Sequence, residues 1–187
     1  MMNTVNDRQL WDQAVAAVTT EYATLPEELR SKVRETAGAV RQAKREIHRI
    51  AEEVECGAIC ASCGGECCGR GKYHVTVVDI LVYLAAEEPL FSPRFGQDAC
   101  PYLGDCGCLM EPSLRPFNCV TFNCERVEGL WSPERLDEFY RGERGLRALY
   151  GSFERLFGNR FMQGLLMNYE RDVAKREELI LRHGVTP

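Results

Sequence analysis

Ten cysteines stand in a chain of 187 residues, and every one of them lies between Cys56 and Cys124. Sulfur this concentrated either cross-links a fold or holds an inorganic centre, and the redox compartment separates the two. The opening residues Met1 to Arg8 lack the basic stretch and apolar core of a secretory signal. No run approaches the ~18 apolar residues of a membrane span. The chain is therefore expected to be soluble and cytoplasmic, with no membrane contact, and a reducing cytoplasm favours a metal site over disulfides. Adjacent Cys67 and Cys68 also cannot bridge one another without strain. With 45% hydrophobic and 27% charged residues the composition is globular, which fits a single domain over residues 1–187. A net charge of −5 argues against a nucleic-acid partner.

The cysteines fall into two groups. The first is Cys56, Cys60, Cys63, Cys67 and Cys68; the second is Cys100, Cys106, Cys108, Cys119 and Cys124. A C-x2-C step brings two thiolates to one ion without long-range folding, and a second group further along completes a four-sulfur shell. Soft sulfur selects zinc or iron–sulfur over magnesium or calcium. Structural zinc usually uses paired C-x2-C knuckles, whereas this chain has one such step, a Cys-Cys doublet and surplus thiols, which tips the reading toward a [4Fe-4S]-type cluster with zinc as the alternative. Eight thiolates would fill two four-coordinate sites, and the filled sites would take the charge to roughly −9. Arg70, Lys72, His74, Arg115 and Arg126 are placed to compensate.

The flanks read as helix, so the expected fold is mainly α, with helices at both ends enclosing two irregular Cys/Gly-rich metal-binding loops. Residues 3–55 hold two helices, the second opening after Pro26. Its stripe Leu29, Val33, Val40, Ala43, Ile47, Ile50 and Val54 is flanked by charges that include Lys44, and asks for a partner helix, either within the chain or in a dimer. Residues 56–125 form the cysteine core. Within it Thr76-Val77-Val78-Asp79 has the form of a capping box opening a short helix, with a strand over 73–78 as the competing reading. Residues 132–183 return to helix: one segment opened by Ser132-Pro133, a further one from Gly145 to Phe157, and a last one from about Arg160 to Arg182, with Leu179 and Ile180 inward and Gly184 as a stop.

Cys60-Ala61-Ser62-Cys63-Gly64-Gly65-Glu66-Cys67-Cys68, followed by Cys100-Pro101-Tyr102-Leu103, Cys108 and Arg115-Pro116-Phe117-Asn118-Cys119, resembles the CxxCxxCC (YkgJ-like) cysteine-cluster family. That family is described as a zinc- or iron-chelating domain, and a related domain occurs in flagellin lysine N-methylases. The resemblance covers roughly residues 56 to 125. It implies Cys60, Cys63, Cys67, Cys68, Cys100, Cys108 and Cys119 as ligands, with Arg115 beside the centre. Cys56, Cys106 and Cys124 lie outside the matched pattern; the choice between Cys106 and Cys108 stays open, and Cys124 is near enough in sequence to reach the same site.

Cys56-x3-Cys60-x2-Cys63 also has the spacing of radical S-adenosylmethionine enzymes, but Ser62 stands where those enzymes carry an aromatic, and the repeated βα units are missing. S-adenosylmethionine is thus a minor cofactor expectation. No P-loop, G-x-G-x-x-G, H-E-x-x-H or G-x-S-x-G occurs, and no catalytic constellation can be assembled. His48 and His183 are expected in solvent and Asp79 as a cap. Tyr73 and Tyr102 flank the cysteine segments and are expected to pack against the site or line a ligand pocket, and Trp11 and Trp131 to pack in the interior. Two functions follow: an iron–sulfur protein with redox or methyl-transfer-like chemistry, or a zinc-stabilised helical scaffold for a protein partner.

Overall fold

A computed structural model describes residues 4–64, 71–95, 100–105 and 107–182, apart from the side chains of residues 4–6 and 72. Cys67, Cys68, Cys106, Arg70, His183 and Gly184 lie outside the described residues, as does the Lys72 side chain. The fold is mainly helical. Helix α1 (Thr4–Thr24) buries Trp11, Ala14 and Val18 at helical spacing. Pro26 caps α2 (Glu27–Glu52), with its fixed φ already near the helical value. After α3 (Cys56–Ser62) comes α4 (Val77–Ala85), in which every residue from Val77 to Tyr83 is buried. Such a helix, enclosed on all sides, is a core helix.

Helix α2 packs within the chain, against α4 and against α7 (Pro133–Phe157). The intramolecular alternative for its apolar stripe is therefore the one realised. The buried stripe is Val33, Ala37, Val40, Lys44, Ile47, His48, Ile50 and Ala51. Lys44 and His48 thus leave the solvent face on which the sequence placed them. Both fall on the same side of the helix as Val40 and Ala51, and it is this spacing, not their charge, that decides.

The buried Lys44 has one carboxylate to meet. Lys44 Nζ donates to Asp79 Oδ1 at 2.8 Å, and the Tyr150 hydroxyl donates to the same oxygen at 2.6 Å. Thr76 donates from its backbone N–H and its hydroxyl to Asp79 Oδ2, both at 2.8 Å, while Asp79 N–H returns to the Thr76 hydroxyl at 3.3 Å. The capping box expected at Thr76 is thus present, and Asp79 serves in addition as the acceptor of a buried ion pair. The competing strand survives only as a single bridge between Thr76 and Gly164.

Helix α7 is one continuous helix where the sequence suggested two. Ser132 caps it, accepting from Arg135 N–H at 3.4 Å, and Gly158 ends it with φ of +57°. Gly142 does not break the helix. A Cβ there would lie 2.8 Å from Ile47 Cγ1, so the glycine lets α2 and α7 approach closely.

The long C-terminal helix expected after Arg160 does not form. The helical run covers only residues 165–176, with α8 (Leu165–Tyr169) passing into a π turn over Glu170–Ala174. A π turn inserts an extra residue and rotates the face that follows. Leu179 is accordingly 53% exposed, while Ile180 and Leu181 are fully buried. Their backbone N–H groups donate to the Glu21 carboxylate at 3.2 and 2.6 Å instead of continuing a helix. Buried Asp172 pins the segment: Arg171 donates to both its oxygens at 2.7 Å, Arg182 to Oδ1 at 3.1 Å and Asn159 to Oδ2 at 3.0 Å.

Two predictions follow from these buried carboxylates. Breaking the Lys44–Asp79 pair from either side is expected to cost several kcal/mol, about 3–5. Asp79→Asn should cost more than Lys44→Met, because Asp79 keeps its Tyr150 and Thr76 donors whereas Lys44 loses its carboxylate; urea midpoints give the order. At Asp172 burial raises the carboxyl, but hydrogen bonds from Arg171 and Asn159 and the charges of Arg171 and Arg182 outweigh it, and the group sits below its ordinary 3.8. A depressed carboxyl stabilises the fold above its unfolded value and loses that contribution as pH falls through the folded one. The stability difference between the natural chain and Asp172→Asn should be constant from neutral pH to about pH 4 and shrink below it.

Candidate metal centre

The cysteine segments are made of short elements. Helix α3 carries Cys56 and Cys60. It follows a sharp break at Glu55, whose φ is +53°, and it replaces the loop expected there. A two-residue antiparallel ribbon pairs β1 (Leu103–Gly104) with β2 (Gly107–Cys108); α5 (Phe117–Thr121) holds Cys119, and Cys124 immediately precedes α6 (Glu125–Glu128). The scarcity of long regular elements here matches expectation.

These elements enclose a cavity of about 90 Å3. Its wall includes the side chains of Cys56, Cys60, Cys100, Cys108, Cys119 and Cys124, so both sequence groups meet at one place. Cys63 is not on the wall; its Sγ lies 3.4 Å from the Cys60 carbonyl oxygen, to which it donates. Gly71 makes the close approach possible, because a Cβ there would fall 2.5 Å from Cys100 Sγ.

Cationic and neutral donors face the thiols. His74 Nδ1 stands 3.3 Å from Cys119 Sγ. Burial pushes the His74 imidazolium down, against the opposing pull of Asp79, which favours the neutral ring beside the thiol. Arg115 is anchored by Nε donating to the Met110 carbonyl at 3.0 Å, and its Nη1 lies 3.4 Å from His48 Nδ1. Burial first, then Arg115, lower His48 as well. The Cys56 thiol is raised by burial, with Arg115 offsetting part of the effect. Arg115 therefore lines the same cavity as the cysteines. His48, expected in solvent, lines the cavity.

Two donors on the wall are left over. The Tyr102 hydroxyl and Asn123 Nδ2 are buried and have no hydrogen-bond partner among the described residues. Burial holds the Tyr102 phenol well above its ordinary range, and Cys119 and Cys100 are the next causes, which puts both thiols within electrostatic reach of the hydroxyl. Unpartnered buried donors are uncommon and costly, and here they border a cavity rich in sulfur acceptors. Asn123 carried no signal in the sequence. His48 carried one, its place on the α2 stripe.

The donor chemistry fits a soft metal: thiols, imidazoles and a compensating guanidinium around one space. The first shell does not close among the described residues, where no three His, Cys, Asp or Glu side chains are grouped to hold one ion. Cys67, Cys68 and Cys106 lie outside those residues.

Comparison with known proteins yields no relative: no family model, no curated protein and no solved structure matches the chain. No helix among the described residues is long and apolar enough to cross a membrane.

The leftover hydroxyl gives a test that does not depend on the ligand's identity. In reduced, chelator-treated protein, Tyr102→Phe should be neutral to stabilising, by up to about 1–3 kcal/mol, because it removes an unpaired buried group. In protein purified anaerobically without chelator the same change should destabilise. Equal effects in both preparations, read from urea midpoints, would show that nothing in the cavity engages the hydroxyl.

Proposed function

We propose that the chain is a cysteine-cluster metal-binding protein whose centre is an iron–sulfur cluster of the [4Fe-4S] type, serving redox or methyl-transfer-like chemistry. One observation carries the reading: thiols from both cysteine groups line the same cavity as His48, His74 and Arg115. The sulfur surplus supports iron–sulfur over zinc, while the resemblance to the CxxCxxCC family supports a zinc or iron centre without choosing between them. When bound, such a centre supplies one-electron transfer or an open iron vertex for a small molecule.

The protein's own residues would do three things. Thiols from the α3 segment, the β1–β2 ribbon and the α5–α6 segment would hold the centre. Arg115, fixed through Met110, would offset the negative charge of the thiolates, which burial otherwise penalises. Tyr102 and Asn123 would donate hydrogen bonds to sulfur.

A zinc-stabilised scaffold that docks a protein partner is the second reading. What favours it is the frame: α1, α2, α4 and α7 carry no cysteine, and Phe122 and Leu130 beside the cysteine segments are 59% and 60% exposed. Anaerobic purification, metal analysis and visible spectroscopy separate the two. A brown protein with iron and inorganic sulfide supports the first, and a colourless one with stoichiometric zinc supports the second. A protein free of bound metal after anaerobic isolation would overturn both. Cys119→Ser is expected to lower metal content and melting temperature together, since binding free energy at such a site is also folding free energy. Metal loss with an unchanged melting temperature would assign folding to the helices alone.

A further inference from the structure

The C-terminal segment carries a second feature, remote in sequence from the cysteines. A hollow of about 300 Å3 is lined by Gly158, Asn159, Arg160, Arg171, Arg176 and Arg182. Four arginines line one small space, and no acidic residue among the described residues is part of its wall. Like charges gathered this way repel unless something offsets them.

The offset among the described residues is incomplete. Arg171 is saturated: it donates to Asp172, to Gln163 Oε1 at 2.8 Å, to Asn159 Oδ1 at 2.6 Å and to Asn168 Oδ1 at 2.7 Å. Arg182 donates through Nη2 to Asp172 and to Glu178 at 2.8 Å, and through Nε to the Leu179 carbonyl at 3.3 Å, leaving Nη1 without a partner in this set. Asp172 and Glu178 thus answer two of the four charges. The exposed guanidiniums of Arg160 and Arg176 have no hydrogen bond or ion pair among the described residues, although the Arg160 backbone N–H donates to Asn159 Oδ1 at 2.8 Å. Glu170 and Glu177 are near in sequence but do not line the hollow. Two positive charges remain over, with three sets of free N–H donors.

The floor is rigid. Asp172 is fully buried and Asn159 is 8% exposed; Asn159 donates to Asp172 and to the Ile180 carbonyl at 2.9 Å and accepts from Arg171. The backbone that presents these arginines is irregular in two places, the π turn over Glu170–Ala174 and Glu177 at φ +55°. Irregularities of both kinds recur at functional sites.

We infer that this arginine-lined hollow binds a phosphoryl dianion. Two uncompensated cations match a group carrying about two negative charges at neutral pH, and its oxygens accept the forked donors of arginine. A carboxylate would leave one charge unanswered. The ligand is either free phosphate or a small phosphomonoester, which share this chemistry. The inference is independent of the metal reading and survives its failure.

Calorimetric titration of the full chain at low salt tests it, with inorganic phosphate, glycerol phosphate, a single-stranded oligonucleotide and acetate at matched ionic strength. Phosphate or glycerol phosphate should bind saturably, one per chain, with a Kd of about 1 mM or tighter. The tighter of the two identifies the source. Arg160→Ala and Arg176→Ala should each weaken binding about tenfold, with unchanged melting curves because neither side chain has a partner to lose. Arg176→Lys should fall between, retaining charge without the fork. Heats no different from acetate, binding kept by both alanine variants, or saturable binding of the oligonucleotide alone would overturn the inference.

Discussion

The arrangement depends on one buried carboxylate. Asp79 sits in the central helix, and three segments meet on it: Lys44 from α2, Tyr150 from α7 and Thr76 from the turn that opens α4. A buried ion is tolerated only when its charge and lone pairs are answered, and Asp79 has four donors to its two oxygens. Because each donor comes from a defined point on a defined helix, the network fixes how α2 and α7 rotate about α4 more tightly than apolar contacts would. Aliphatic packing tolerates sliding, whereas a shared carboxylate oxygen does not.

That registration reaches the cysteines. The Tyr150 ring meets Phe117 edge-on with centroids 5.0 Å apart, and Arg147 of α7 lies over the Phe117 ring, its Cζ 5.0 Å from the centroid. Phe117 opens α5, which holds Cys119 two residues on. His74, whose ring faces Cys119, lies two residues before Thr76. Both members of the thiol–imidazole contact are thus attached to the Asp79 network, one through an aromatic pair and the other through the backbone. The helical frame positions the site by covalent proximity to its own ionic centre.

Most of the frame was legible in sequence because it follows local rules: the Pro26 start of α2, the Thr76–Asp79 box and the Ser132-Pro133 cap each need only neighbouring residues. The features that were missed are decided over long range. Lys44 and His48 looked solvated because charge was weighed above position, although both fall on the stripe that runs through Val40 and Ala51. The continuity of α7 was missed because the role of Gly142 lies in how near α2 comes. The π turn is invisible to a 3.6-residue period, since the contacts that hold the segment come from beyond the turn itself: Asn159 and Arg182, more than two helical turns away, and Glu21, far along the chain. For the site, the sequence named all ten cysteines and Tyr102, and six of those cysteines line the cavity together with Tyr102, whereas Asn123 and the burial of His48, which arise from enclosure, were not foreseen.

The cysteine elements differ from the frame in a way that bears on what holds them. Helices α3, α5 and α6 have seven, five and four residues, and the ribbon has two residues a side. Helices of this length are unstable alone, and an isolated two-stranded ribbon is marginal. The core supplies part of what they need, through Cys100, Tyr102, Phe117 and Val120, all buried in the main cluster. Cys56 and Val127 instead belong to a small satellite with Ala51. A satellite of three buried residues stabilises little by burial alone. The edge of the cavity formed by α3 and α6 therefore draws little stability from burial, and it carries Cys56, Cys60 and Cys124. An inorganic centre held there would act as the missing core, joining a weakly packed edge to the rigid frame through sulfur rather than through hydrocarbon.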